Sequence, residues 1–139
     1  MKKWTPSLRG APEVRLLLDT AVLIMAAESP ERLSRRATAV LENDENVLEF
    51  SSVSISEIAI KAMRGKLRLT ADLTRQALED LDARVLPYSA EHAFALFDLP
   101  LHHSDPFDRQ IIAQSLVEDL PVMTPDRAFR RYKGLRVLW

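Results

Sequence analysis

Apolar residues in this chain fall into short runs separated by longer stretches of helical spacing, and several runs end on an acid or a hydroxyl. The segments 14–18 (interrupted by Arg15), 47–52, 84–87, 120–123 and 135–139 have the length and apolar density of strands covered on both faces. Between them, apolar positions that recur every three to four residues predict helices. The first covers 20–28. A second begins at Ser29 and Pro30, which suit a cap and a first-turn proline, carries Leu33, Ala37, Val40 and Leu41, and ends near Asn43. A third takes Ser54 as N-cap with Glu57 three residues on, a capping box, and runs through Ile58 and Ala62 past Gly65 to Leu67. Helices follow over 72–82 and 89–99, then from Pro106 through Leu116 with Asp105 as N-cap, and briefly from Thr124-Pro125-Asp126. This alternation predicts a three-layer α/β/α domain around a central, mostly parallel sheet of four to five strands. Residues 1–13, with Pro6, Gly10 and Pro12, read as an irregular leader, which leaves 14–139 as one domain.

The 139 residues, 47% hydrophobic and 28% charged, suffice for a single core that removes roughly two thirds of the chain's surface from water. A formal net charge of -1 argues against a protein that coats nucleic acid with its whole surface, because such affinity comes from excess Lys and Arg. A local groove stays open. With no cysteine there is no disulfide, thiolate metal site or cysteine nucleophile, and a reducing cytoplasm is the expected setting. The lysines near the start precede no apolar signal core, and no run approaches the roughly 18 apolar residues of a membrane span, so neither secretion nor membrane insertion is expected.

Four carboxylates stand where an apolar run hands over to a helix: Asp19, Glu57, Asp108 and Asp126. If the runs are parallel strands, all four lie at one end of the sheet, where open α/β folds bind ligands. Carboxylates gathered there repel one another, and a hard divalent cation such as Mg²⁺ or Mn²⁺ relieves that repulsion and equips the site for phosphodiester hydrolysis by a metal-activated water. Each acid also has a purely structural use, since a carboxylate at a helix N-terminus accepts orphan backbone N–H bonds. Glu57 in its capping box and Asp105 as N-cap are the clearest cases. Thr124, and Thr20 beside Asp19, place hydroxyls next to the acids, where one group can both cap a helix and orient a water.

Arg64, Lys66 and Arg68 follow the Glu57 helix, Arg109 adjoins Asp108, and Arg127, Arg130, Arg131 and Lys133 follow Asp126. These cations suit a nucleic-acid backbone laid beside the acids, or simply a solvated charged face. His102 and His103 are candidates for catalysis or metal binding, but adjacent side chains on a loop point different ways, and both are otherwise read as loop residues. Aromatic content of 6% supplies no interleaved aromatic-basic run for stacking bases.

In this order and over this length, LLLDTAVLIMA at 16–26, SSVSISEIAIKAMRGKLRL at 51–69, LPLHHSDPFDRQIIAQSL at 99–116 and TPDRAFRRYKGLRVLW at 124–139 resemble the PIN-domain ribonucleases of the VapC toxin type. The resemblance implies a PIN fold over 14–139 and metal-dependent endonucleolytic cleavage of RNA. It makes Asp19, Glu57, Asp108 and Asp126 the catalytic and metal-binding acids and leaves Asp105 a supporting position. It further implies a small VapB-like antitoxin as partner, and a homodimer. Ala21 stands where the subgroup often has His, Met25 where it often has an aromatic, and the leader is longer than usual. The competing expectation is a catalytically silent PIN-like module that binds RNA or protein and uses its acids only as caps. Phosphotransfer through an aspartyl intermediate fits less well, since Asp19 opens no D-x-D motif and no matching lysine ends a late strand.

Overall fold

The computed structural model describes residues 14–139, so the expected leader lies outside the described residues. Strands β1 Arg15–Leu18, β2 Val47–Ser51, β3 Arg84–Leu86, β4 Val122–Met123 and β5 Val137–Leu138 form one sheet in the order β3-β2-β1-β4-β5, and every neighbouring pair is parallel. Six α-helices surround it among the described residues: α1 Thr20–Glu28, α2 Arg35–Glu42, α3 Ser52–Met63, α4 Ala71–Leu81, α5 Ala90–Ala95 and α6 Pro106–Glu118. The three-layer α/β/α architecture is the one predicted.

Strand β1 is central and apolar because both its faces are covered. Leu16 and Leu18 point into a core with Leu48, Phe50, Val22, Leu23, Leu41, Ile58 and Leu78, whereas Leu17 points into a second core with Ile111, Ile112, Val122 and Phe129. Helices α1 to α4 therefore cover one face, and α6 covers the other. On the Leu17 side of β2 the pattern breaks at Glu49, a buried acid. Arg15 and Arg84, from the strands on either side, hold its carboxylate at 2.6 and 3.4 Å, which offsets the cost of burying that charge.

The chain steps outward from β1 to β2 to β3, then returns across the sheet to lay β4 on the other side of β1. Connections thus diverge between β1 and β4, and a crevice opens beyond the carboxyl ends of strands at such a switch point. The segments leaving these two strands carry Asp19 and Thr124–Asp126.

Several boundaries differ from expectation. Helix α3 is capped by Ser51, whose hydroxyl accepts from the Val53 amide, so the Ser54–Glu57 capping box does not form. Ser54 instead lies inside the helix and accepts a 2.7 Å bond from Thr20 Oγ1, which ties α3 to α1. The same helix stops at Met63 rather than continuing to Leu67, because Gly65 turns the chain with φ of 73°. Pro30 starts a separate 3₁₀ turn, Pro30–Arg32, and Ser34 caps α2. The helix expected over 89–99 divides into α5 and the 3₁₀ turn Leu96–Asp98, and the one after Thr124 is the 3₁₀ turn Arg127–Arg131 with Asp126 as its cap.

Phe50 is fully buried in the larger core. Phe50→Ala is expected to lower unfolding free energy by about 3–5 kcal/mol, read from urea denaturation midpoints; a loss below 1 kcal/mol contradicts this packing.

Candidate active site

Asp19, Glu57, Asp105, Asp108 and Asp126 line a single cavity of about 310 Å³ at the switch point, together with Thr20, Ala21, Ile24, Lys61 and Pro125. Each acid arrives by a different route. Asp19 is the residue after β1 and precedes α1. Glu57 projects from the second turn of α3, is 4% exposed, and has Lys61 one helical turn on, with Nζ 2.6 Å from its Oε2. Its Oε1 is shielded from solvent and has no hydrogen-bond partner among the described residues. Asp105 caps α6 by accepting from the Phe107 and Asp108 amides at 2.9 and 3.2 Å, which places Asp108 in the first turn. Asp126 caps its 3₁₀ turn through the Ala128 amide.

Thr124 joins the two sides of the switch point. Its hydroxyl donates to Asp19 Oδ2 at 2.7 Å and accepts from the Asp126 amide at 3.0 Å. The bond spans residues 105 apart in sequence and fixes the buried Asp19 carboxylate. Thr20, by contrast, spends its hydroxyl proton on Ser54.

Electrostatics set this cluster apart from ordinary caps. Burial, together with the neighbouring charges of Glu57 and Asp126 and against the Thr124 bond, pushes the Asp19 carboxyl up to about 6. Burial and the surrounding Asp19, Asp105, Glu57 and Asp126 charges push Asp108 up to about 8. Hydrogen bonding to Glu57 raises the Lys61 amine above its usual value. The cavity thus holds more negative charge than one lysine offsets. An oxygen-rich donor set, mutual repulsion and an orphaned buried Glu57 oxygen together fit a divalent cation.

His103 lies in the loop before α6, as expected, and its ring is turned toward the acids. Its Nε2 lies 3.5 Å from Asp108 Oδ2, and ligand atoms of His103, Asp108 and Asp126 all lie within 4.8 Å of one another. His102 does point elsewhere, edge-on to the Tyr132 ring. Lys61 was also overlooked, although its spacing of four from Glu57 on a helix signals the pair. The predicted cations do not gather here: Arg64, Lys66, Arg109 and Arg127 are all absent from the lining. Arg64 follows the far end of α3, about 10 Å along the helix axis from Glu57. The Arg109 guanidinium is committed to the Leu99 and Pro100 carbonyls and to Tyr132 Oη, so it clasps the loop before α6 instead of facing a phosphate.

The PIN-domain profile matches residues 16–135, and the chain belongs to the PIN-domain family. Solved structures share its fold. A chain of VapBC2 from Rickettsia felis, bound to a DNA fragment from the promoter, superposes with a TM-score of 0.70 at 16% identity over 90% of this chain and 98% of that one. DNA-bound VapBC from Salmonella typhimurium gives 0.64 at 17%, over 90% and 97%. VapBC-5 from Mycobacterium tuberculosis, a member of the VapBC family of toxin–antitoxin systems, gives 0.58 at 21%, over 90% and 98%. Comparison with curated protein sequences returns no match. Among the described residues no helix is long and apolar enough to cross a membrane.

Raised carboxyl pKa values make stability pH-dependent. The unfolded chain releases these protons near 3.8, whereas the folded chain keeps them to about 6 at Asp19 and about 8 at Asp108. Folded protein therefore binds more protons across this window, and stability falls as pH rises through it. In chelator, Asp108→Asn is expected to be more stable than wild type at pH 8 by at least about 1 kcal/mol, with the gap closing toward pH 4. Equal urea midpoints at pH 8 contradict the crowding of charge at this position.

Proposed function

We propose that this chain is a VapC-type toxin, a divalent-metal-dependent endoribonuclease held in check by a small VapB-like antitoxin. The observation that carries this reading is the cavity in which Asp19, Glu57, Asp108 and Asp126 converge from four separate elements at the sheet's switch point. A silent module would keep acids as caps, as Asp105 and Asp126 are. It would have no use for Glu57 buried in mid-helix with an unpaired oxygen, or for a buried Asp19 held by Thr124 from across the sheet.

In this proposal Asp19, Glu57, Asp108 and Asp126 hold Mg²⁺ or Mn²⁺. A bound ion of this kind supplies Lewis acidity that activates water at neutral pH and offsets charge on the phosphate. The protein's own groups do the positioning. Thr124 orients Asp19, the Asp105 cap fixes the first turn of α6 and so Asp108, and Lys61 steadies Glu57. Arg127, exposed beside Asp126, contacts an RNA phosphate near the acids, while exposed Arg64 and Lys66 meet phosphates farther along the strand. Residues 14–139 act as one catalytic unit. The resemblance to chains from VapBC complexes supports the antitoxin partner, and a homodimer working in the cytoplasm completes the proposal.

The test incubates purified protein with structured and single-stranded RNAs in Mg²⁺, Mn²⁺ or chelator. Cleavage is expected with either ion and none in chelator, and Asp19→Asn is expected to lose at least about 100-fold in rate, a few kcal/mol of transition-state stabilisation. Chelator-resistant cleavage, or full activity in a folded Asp19→Asn protein, would falsify the reading.

A further inference from the structure

His103 does not itself line the cavity, but its ring stands directly behind Asp108, which does. The histidine sits in the loop that leads to α6, and its ring is held from behind. Nδ1 lies 2.8 Å from Tyr132 Oη, and the ring centroid is 5.7 Å from that of Phe129. Tyr132 is buried, and its oxygen also accepts a 3.3 Å bond from Arg109, which clasps the Leu99 and Pro100 carbonyls. The other ring nitrogen, Nε2, is shielded from solvent and has no hydrogen-bond partner among the described residues. It faces Asp108, which lines the cavity together with the deeply buried Glu57 and its orphaned Oε1.

We propose that His103 Nε2 is a metal ligand, forming with Asp108 and Asp126 a mixed nitrogen–oxygen centre that prefers a transition ion such as Mn²⁺ to Mg²⁺. This rests on the cavity being a metal site but not on RNA being its substrate. Ligand bonds of roughly 2.0–2.2 Å allow two donors of one ion to stand at most about 4.4 Å apart. The 3.5 Å separation of Nε2 from Asp108 Oδ2 is inside that limit, and the 4.8 Å bound on all three atoms exceeds it by under half an ångström at most. Coordination requires the Nε2 lone pair, so Nδ1 carries the proton and donates to Tyr132 Oη; that oxygen has two lone pairs, one for Nδ1–H and one for Arg109. Imidazole is a softer donor than carboxylate, which shifts preference away from Mg²⁺.

The experiment loads full-length protein with Mn²⁺ and records electron spin-echo envelope modulation, which detects a coordinated imidazole nitrogen. Wild type and His102→Gln are expected to show nitrogen coupling. In His103→Gln the coupling disappears, Mn²⁺ affinity drops at least about tenfold, and the Mn²⁺-over-Mg²⁺ preference shrinks. Bound Mn²⁺ without nitrogen coupling in wild type, coupling that persists in His103→Gln, or no Mn²⁺ binding overturns the proposal. Coupling without RNA cleavage leaves the ligand in place and removes the nuclease reading; cleavage without coupling does the reverse.

Discussion

Negative charge crowded where water is scarce is the constraint around which the rest of this domain is arranged. Two like charges about 4–5 Å apart at an effective dielectric near 20 repel by about 3–4 kcal/mol, which is a sizeable part of the roughly 5–15 kcal/mol that keeps a domain folded. Acids placed for stability alone would be spread over the surface. Here Asp108 is driven to hold its proton to about 8, and only Lys61 among the cavity-lining residues opposes the charge. A fold that tolerates such a cluster has rigid elements to hold it, and gains from it only when a cation arrives.

The parallel sheet supplies that rigidity. Leu16, Leu17 and Leu18 are fully buried on alternating faces, so β1 delivers Asp19 to a fixed point at the sheet's edge. Strand β4 delivers Thr124 beside it, and one short hydrogen bond locks the two together. Helices α3 and α6 approach the same edge by their N-terminal turns, where backbone amides favour negative charge and moderate the repulsion. Catalytic precision in the proposed nuclease thus depends on ordinary core packing some distance from the reaction.

Much of this was legible in the sequence, for a physical reason. Short apolar runs ending on Asp19 and before Asp126 are the mark of buried parallel strands, and the helical periods between them gave the layers. What escaped was decided by tertiary contact. Ser54 fits a capping box locally, yet Ser51 caps α3 because β2 runs straight into the helix, and Ser54 then meets Thr20, 34 residues away. His103 and Arg109 looked like a loop residue and a phosphate contact. Tyr132, distant in sequence, anchors both, turning the histidine ring toward Asp108 and the arginine toward the loop. Lys61 was within reach of the sequence, since its i,i+4 spacing from Glu57 needs only the helix.

The central claim is that these carboxylates form one centre whose repulsion a divalent ion relieves. Urea unfolding at pH 8 with increasing Mn²⁺ tests it most directly, because an ion bound only by the folded chain stabilises it by about 2.7 kcal/mol at a hundred times its dissociation constant. The account predicts a midpoint that climbs with Mn²⁺ in wild type and stays flat in an Asp108→Asn, Asp126→Asn double variant. A wild-type midpoint unmoved by millimolar Mn²⁺ would contradict it.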